Sequence, residues 1–496
     1  MTLAITARLA RALEQAIPIY RVRRQPESSD AEDAAAPPPT TSGVGIRKLV
    51  LTAASWSMGG YAAGQVLRIA GNLLLTRVLA PDLFGLAAVA TMVSVLVALL
   101  SDIGLHQAVI RSPKGELQRF LDTAWTIQIV RGFLIWFVSI LIGFGIGYIA
   151  SRGWVAAHSV YANPQLPLII IGSGLGFAIS GFQSTNYISH QRNLGLSRLT
   201  KIELICQAVG IVTAVLLAWL TQSVWAVVIS SLVSSLLGAI LSHTWIPGPR
   251  NSFRMDREDA REIFLFGRWI MFSSFFTVFS ANGDRILLGN WASSTTFGLY
   301  GLALNLVGMI EGIGGRLYGA VGTPTLSKIA RERPERLRSA YLRLRAPFDI
   351  FYIGCAGLLF GCGQTIIDIL YDHRYAAAGS MLQILSFSLL MARFGIMTSV
   401  YIAVGEPRNV GILNCVKAGL LFTVVPLCYW LFDFQGALWA IALYTLPTVP
   451  LILFFNMRHK LNNWMFEIGV LLVWPVGYAA GLMISKVAGH LFAAVM

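Results

Sequence analysis

From about Leu49 to the C-terminus the chain is a series of long apolar stretches broken by short polar connections. The stretches lack the two-residue alternation of a membrane β-strand, and about 20 apolar residues are enough for a helix to cross a bilayer core. Only helices and closed barrels satisfy the backbone in hydrocarbon. The pattern therefore predicts an all-α polytopic membrane protein with about thirteen transmembrane helices, within a range of twelve to fourteen. The spans fall at 49–78, 83–105, 119–149, 166–187, 203–221, 223–245, 264–289, 297–321, 346–370, 377–404, 409–431, 435–456 and 465–490.

The connections alternate between basic and nearly uncharged. One set holds Arg111, Lys114 and Arg119; Arg192, Arg198 and Lys201; Arg250, Arg254, Arg257 and Arg261; the run from Lys328 to Arg345; Arg408; and Arg458 with Lys460. The other holds only Arg77, Arg152, Arg285, Arg374 and Lys486. Basic residues are retained on the cytoplasmic side during insertion, so the N-terminus is expected inside. Composition fits this reading, with 55% hydrophobic and 12% charged residues and a mean hydropathy of +0.65. A net charge of +14 would otherwise suggest nucleic acid. Topology accounts for most of it, and no basic domain with interleaved aromatics stands outside the spans, so no nucleic-acid partner is expected.

Residues 1–46 are expected to be a cytoplasmic basic tail and a disordered linker rich in Pro, including Pro37, Pro38 and Pro39. The first apolar run begins only after some fifty residues, so a cleavable signal peptide is not expected. Residues 47–245 form an N-terminal six-helix lobe, 246–263 a cytoplasmic inter-lobe linker, 264–456 a C-terminal six-helix lobe, and 457–496 an additional helix. A weak internal repeat supports two lobes. Phe84-Gly85-Leu86 lies at the first helix junction, and Phe297-Gly298-Leu299 lies 213 residues later at the seventh-to-eighth junction. Two halves that both begin inside are parallel repeats about an axis along the membrane normal, a transporter arrangement around a central cavity.

No P-loop, zinc-protease or nucleophile-elbow motif is present. The five cysteines (Cys206, Cys355, Cys362, Cys415 and Cys428) fall within apolar segments without metal-ligand spacing, and the histidines form no metal-spaced cluster. No metal or cofactor is expected. The unusual residues are charges at membrane depth, which by default mark a cavity or a partner. Arg68, Arg131, Arg268, Arg316, Arg393 and Lys417 are the candidate substrate-binding cations. A polar stripe of Gly60, Gly64, Arg68, Asn72 and Thr76 recurs every fourth residue, and Ser273, Thr277, Ser280 and Asp284 follow a similar helical spacing. With Asn305, these residues are expected to line the cavity. Glu311 and Asp284 are candidates for carrying a coupling proton. A positive, dehydrated cavity suits an anion, and the planar guanidinium suits phosphate oxygens in particular. Each deep arginine has a competing reading, in which it is neutralised by a carboxylate of its own lobe or snorkels to the surface.

The chain resembles the polysaccharide flippases of the multidrug/oligosaccharidyl-lipid/polysaccharide exporter superfamily over about residues 47–460. The resemblance is carried by the stretch from Leu75 through Arg77 and Pro81 to Gly85, and by Asp102 to Arg111. It continues in Asp284 to Gly289 with Phe297 to Tyr300, Thr323 to Lys328, Leu370 to Arg374, and Val404 to Arg408. It implies alternating access in a bacterial inner membrane and an undecaprenyl-pyrophosphate-linked oligosaccharide as substrate, for exopolysaccharide, capsule or O-antigen synthesis. The partners expected are that lipid-linked oligosaccharide, the membrane lipids, and a polysaccharide polymerase or assembly complex. Three other readings remain open. A cation/drug antiporter calls for deep carboxylates. A membrane glycan polymerase calls for a large external loop. A non-transporting scaffold of a glycan-assembly complex would also fit.

Overall fold

The computed structural model describes residues 43–192, 196–404 and 406–495, so the tail and linker expected over 1–42 lie outside the described residues. The chain divides into residues 1–48 and 49–496, and the second unit holds the helical bundle.

The helices are α1 (Gly43–Val78), α2 (Pro81–Leu100), α3 (Leu105–Arg111), α4 (Gln118–Ser151), α5 (Leu166–Ser180), α6 (Asn186–Arg192), α7 (Leu196–Thr221) and α8 (Trp225–Thr244). The second half holds α9 (Arg257–Trp291), α10 (Ser294–Glu332), α11 (Leu337–Leu370), α12 (Ala378–Leu385), α13 (Ser388–Ala392), α14 (Gly395–Val404), α15 (Pro407–Leu443) and α16 (Val449–Arg458). Last come α17 (Trp464–Gly469) and α18 (Val473–Val495). Eight helical segments among the described residues are long and apolar enough to cross a bilayer, with two shorter apolar ones at Leu166–Ser180 and Ala378–Ala392. This is the polytopic all-α class that the hydropathy pattern predicts.

Some crossings are broken. α12, α13 and α14 follow one another with only Ser386-Phe387 and Arg393-Phe394 between them. α15 bends sharply at Phe432 and Asp433, where Asp433 takes a positive φ of 54°. That break falls at the edge of the predicted 409–431 span. The charged connection expected over 322–345 is instead almost entirely helical, with α10 running to Glu332 and α11 starting at Leu337. Its Lys, Arg, Glu and Leu residues are good helix formers, so the helices continue into their polar ends. Pro334 cannot extend the first and stands in the single 3₁₀ turn between them. The linker over 246–263 is docked. Asn251 donates to Thr185 Oγ1 at 2.6 Å and Ser252 Oγ donates to Asp122 at 2.6 Å, before Asp256 caps α9 by accepting the backbone N–H groups of Glu258 and Asp259.

The internal repeat is where the two halves cross. α2 and α10 begin side by side, and a Cβ at Gly85 would press into the Ser294 carbonyl while one at Gly298 would press into the Pro81 carbonyl. The contact is reciprocal, as a pseudo-two-fold axis requires. Around it, Val160 donates its backbone N–H to Ala292 O at 3.2 Å, Tyr375 donates to Leu79 O at 2.9 Å, and Arg374 donates to Arg77 O at 3.2 Å. At the opposite end Lys114 pairs with Asp259 and Glu262 and Arg119 with Asp256 and the buried Asp259, Ile263 packs against Leu105 and Phe120, and a Cβ at Gly267 would press into the Ile103 carbonyl.

The last helix belongs to the second half. α18 lies along α11 with Gly357 and Gly361 against the backbone of residues 474–482, and Gly477 and Gly481 against the carbonyls of Gly354 and Leu358. Such small-residue seams let helices pack closely where no hydrophobic force drives them together. Below this seam is a buried ion cluster. Arg345 binds both oxygens of Glu467 on α17, Arg393 donates to Glu467 Oε2 at 3.1 Å, and Asp349 lies 2.9 Å from Arg345 and 3.6 Å from Arg393. The Asp349 contacts are charge contacts, since neither of its oxygens accepts a well-formed hydrogen bond.

These contacts set two stability outcomes. Gly85→Val should cost about 2 kcal/mol by forcing the crossing apart, read as a lowered thermal midpoint of the purified protein. Gly308→Val, at a position whose Cβ meets nothing within 4 Å, should leave the midpoint in place. Glu467→Gln should destabilise by roughly 3–5 kcal/mol, because two buried guanidinium groups would then share only Asp349. Glu258→Gln, which removes an exposed partner of Arg119 at 3.6 Å, should produce no measurable change in the same melt.

Candidate functional site

Two of the deep charges singled out from the sequence share one cavity. A space of about 500 Å³ in the second half is lined by Glu311 and Tyr318 of α10, Tyr352 of α11, Ser388 of α13, Lys417 of α15 and Tyr444. Three helix breaks shape it: those around α13, and the turn after Leu443 that brings Tyr444 inward. Gly315 and Gly319, whose absent side chains would meet nothing within 4 Å, leave the α10 wall open. Ser388 Oγ donates to Glu311 Oε1 at 3.4 Å, and the Tyr352 hydroxyl donates to the Glu311 backbone carbonyl at 3.1 Å. The Tyr318 hydroxyl is buried with no hydrogen-bond partner. Among the described residues no carboxylate lies within ion-pair distance of Lys417.

A carboxylate and an ammonium that share a low-dielectric cavity without pairing are both open to a ligand. Both side chains are half-buried, and a charge held away from bulk water without a counter-charge is expensive. Lys417 is therefore suited to hold an anion, and Glu311 to hold a proton or a cation. Among the described residues no three His, Cys, Asp or Glu side chains gather as a metal site.

The other candidates are not gathered into one cationic chamber. Arg393 is only 6% exposed and lies in the ion cluster with Glu467 and Asp349. The expectation that it faces an open cavity is corrected: carboxylates of its own half neutralise it. Arg131 donates to Ala98 O at 2.7 Å and to Ser101 Oγ at 3.4 Å, with Asp102 at 3.8 Å, so it serves the contact between α4 and the end of α2. Arg316 is exposed and stacks over the Tyr61 ring of α1 at 3.9 Å, joining the two halves by a cation–π contact. Arg68 is exposed.

The glycines of its stripe pack against α7, Gly60 on Thr200 and Gly64 on Gln207, so that face of α1 is a helix contact and does not line a cavity. Asn72 is half-buried, and Thr76 is buried and donates to the Leu73 carbonyl of its own helix. Asn305 is exposed. Asp284 is buried and accepts a hydrogen bond from Tyr300, which ties α9 to α10, and it does not line the cavity that holds Glu311. The side chains of Arg268, Ser273 and Thr277 lie outside the described residues.

Sequence reasoning missed Tyr318, Arg345 and Glu467. Tyr318 follows Glu311 by seven residues, two turns along the same helix face, and that spacing could have found it. Arg345 and Asp349 are likewise one turn apart, a signal hidden by reading 322–345 as a loop.

With the geometry in place, comparison with known proteins identifies the chain. Residues 74–380 match the model of the family described as polysaccharide biosynthesis protein. Teichuronic acid biosynthesis protein TuaB of Bacillus subtilis (strain 168) is 21% identical over 346 residues, covering 69% of this chain and 68% of that protein. Among solved structures, the lipid II flippase MurJ in an inward closed conformation aligns with a TM-score of 0.62 at 12% identity, over 90% of this chain and 98% of MurJ. An inward-facing multidrug resistance MATE transporter aligns with a TM-score of 0.60 at 13% identity, over 86% and 96%. At such identities these two likenesses speak for the fold alone. The family match covers more than half of the sequence, and the chain belongs to the polysaccharide biosynthesis protein family.

Proposed function

We propose that the protein is a flippase that carries an undecaprenyl-pyrophosphate-linked oligosaccharide across the bacterial inner membrane, with its N-terminus in the cytoplasm. The process served is exopolysaccharide, capsule or O-antigen assembly, alongside a polymerase or assembly complex. The observation that carries this reading is the unpaired Lys417 in the cavity of the second half, an anion-holding group in a chain of a polysaccharide biosynthesis family. The head group of a lipid diphosphate is the anion such a family would present. Lys417 takes the role that the sequence alone distributed over six cations, and Arg393 drops out of it. Glu311, in the same cavity, carries the coupling proton. The halves rock about the Gly85–Gly298 crossing, and the ion pairs of Lys114 and Arg119 at the other end break to admit the substrate.

The test uses purified protein in vesicles with a fluorescent undecaprenyl-diphosphate-linked sugar. Lys417→Gln should slow translocation about tenfold, a loss of about 1.4 kcal/mol. Arg131→Gln should leave the rate within about twofold once folding is matched. Glu311→Gln should abolish the dependence of the rate on an imposed pH gradient while leaving lipid binding intact. Wild-type vesicles that move no such lipid, or a Lys417→Gln variant as fast as wild type, would overturn the reading.

A further inference from the structure

α1 and α10 belong to different halves and meet through one cation and one ring. The Arg316 guanidinium lies 3.9 Å from the centroid of the Tyr61 ring. Gln65, one turn along α1, donates to the Tyr61 hydroxyl at 2.9 Å and steadies the ring. The ring reaches α10 where Gly312 leaves room, since a Cβ there would press into the Tyr61 hydroxyl. On either side the wall of α10 is open: a Cβ at Gly308, Gly315 or Gly319 would meet nothing within 4 Å. Each helix is fastened within its own half. α1 seats Gly60, Gly64 and Gly71 on Thr200, Gln207 and Ile211 of α7, and α10 seats Gly314 on Tyr352 of α11.

We propose that Tyr61 and Arg316 form a latch that holds the two halves together at this level and opens when they move apart. Arg316 is exposed, and among the described residues no carboxylate lies within ion-pair distance of it. Its tie to the other half is the cation–π contact of a solvated guanidinium, which is weak enough to be made and broken. Arg345 and Arg393, held by buried carboxylates, are the contrast. Stacking uses the face of the guanidinium and leaves its N–H donors to water, so an open latch strands no buried charge. Position adds leverage. Arg316 lies 18 residues beyond Gly298, about 27 Å along α10 from the crossing. A rotation about the crossing therefore displaces this level far more than the crossing itself. The latch rests on the flippase reading only for the motion it governs.

The experiment uses the full-length protein in phospholipid vesicles that contain no polyprenyl lipid. Met58 and Gly319 are exposed and flank the pair by about one turn, both on the side away from the crossing, where α1 ends and α10 begins. A short bis-maleimide links Met58→Cys to Gly319→Cys, and peptide mass spectrometry separates that link from reactions of the five native cysteines. Arg316→Gln and Tyr61→Leu should each slow the link about fivefold. The two together should slow it no more than either alone. Tyr61→Phe, which keeps the ring and loses the hydroxyl, should link at the rate of the starting pair. The buried Cys362 should stay as slow to alkylate in every variant as in that pair. Linking indifferent to Arg316→Gln, additive losses, Tyr61→Phe behaving as Tyr61→Leu, or slower linking only where Cys362 becomes reactive would overturn the latch. With no carrier lipid in the sample, its failure and that of the translocation assay are separate results.

Discussion

The structure depends on backbone meeting backbone where α2 and α10 start. Gly85 and Gly298 occupy equivalent places in the two halves, and each rests against a carbonyl of the other half. No side chain fits between them, so the separation of the halves at this end is set by peptide units and is hardly adjustable. The neighbouring bonds from Val160, Tyr375 and Arg374 all end on main-chain carbonyls, which extends the same rigid closure. At the other end Lys114 and Arg119 pair with carboxylates that include the buried Asp259, Ile263 packs against Leu105 and Phe120, and Gly267 of α9 rests on the Ile103 carbonyl. Both ends are therefore closely packed, and the second adds ion pairs to the contact.

Charge within the helical bundle divides into what is fixed and what is free. Arg345, Arg393, Asp349 and Glu467 bring together two positive and two negative groups, so the cluster is neutral and asks nothing of a ligand. Breaking such a set costs more than forming it gains, which makes it a specifier of arrangement more than a source of stability. Glu311 and Lys417 are left without a counter-charge within one cavity. The groups that matter for binding are those the fold does not satisfy, while depth in the apolar sequence alone does not distinguish them.

Much of the architecture is legible in the sequence. Apolar runs locate the helices to within a few residues in most cases, and the Phe-Gly repeat marks the crossing. At 322–345 polarity suggests a loop, whereas Arg, Glu and Leu sustain a helix outside the membrane as readily as within it. Site residues are less legible. Periodicity tells that Gly60, Gly64 and Arg68 share a face but not what that face meets, and it meets α7. Arg393 reads as unpaired because its partner Glu467 is 74 residues away, on a segment whose docking no local pattern announces. Lys417 and Glu311 stand out as deep charges, but their common cavity is made by breaks in α12–α15 that hydropathy smooths over.

The glycine seam between α11 and α18 has a mechanical meaning. With Gly357, Gly361, Gly477 and Gly481 letting the backbones touch, and Glu467 fastened to Arg345 and Arg393 beneath them, the C-terminal segment and the second half form one stiff block. The first half carries a seam of its own, where Gly132 and Gly143 of α4 rest on the Phe177 and Pro167 carbonyls and Gly174 of α5 meets Ser139. Each half is thus braced internally by glycines, and the second is braced once more by its buried ion cluster.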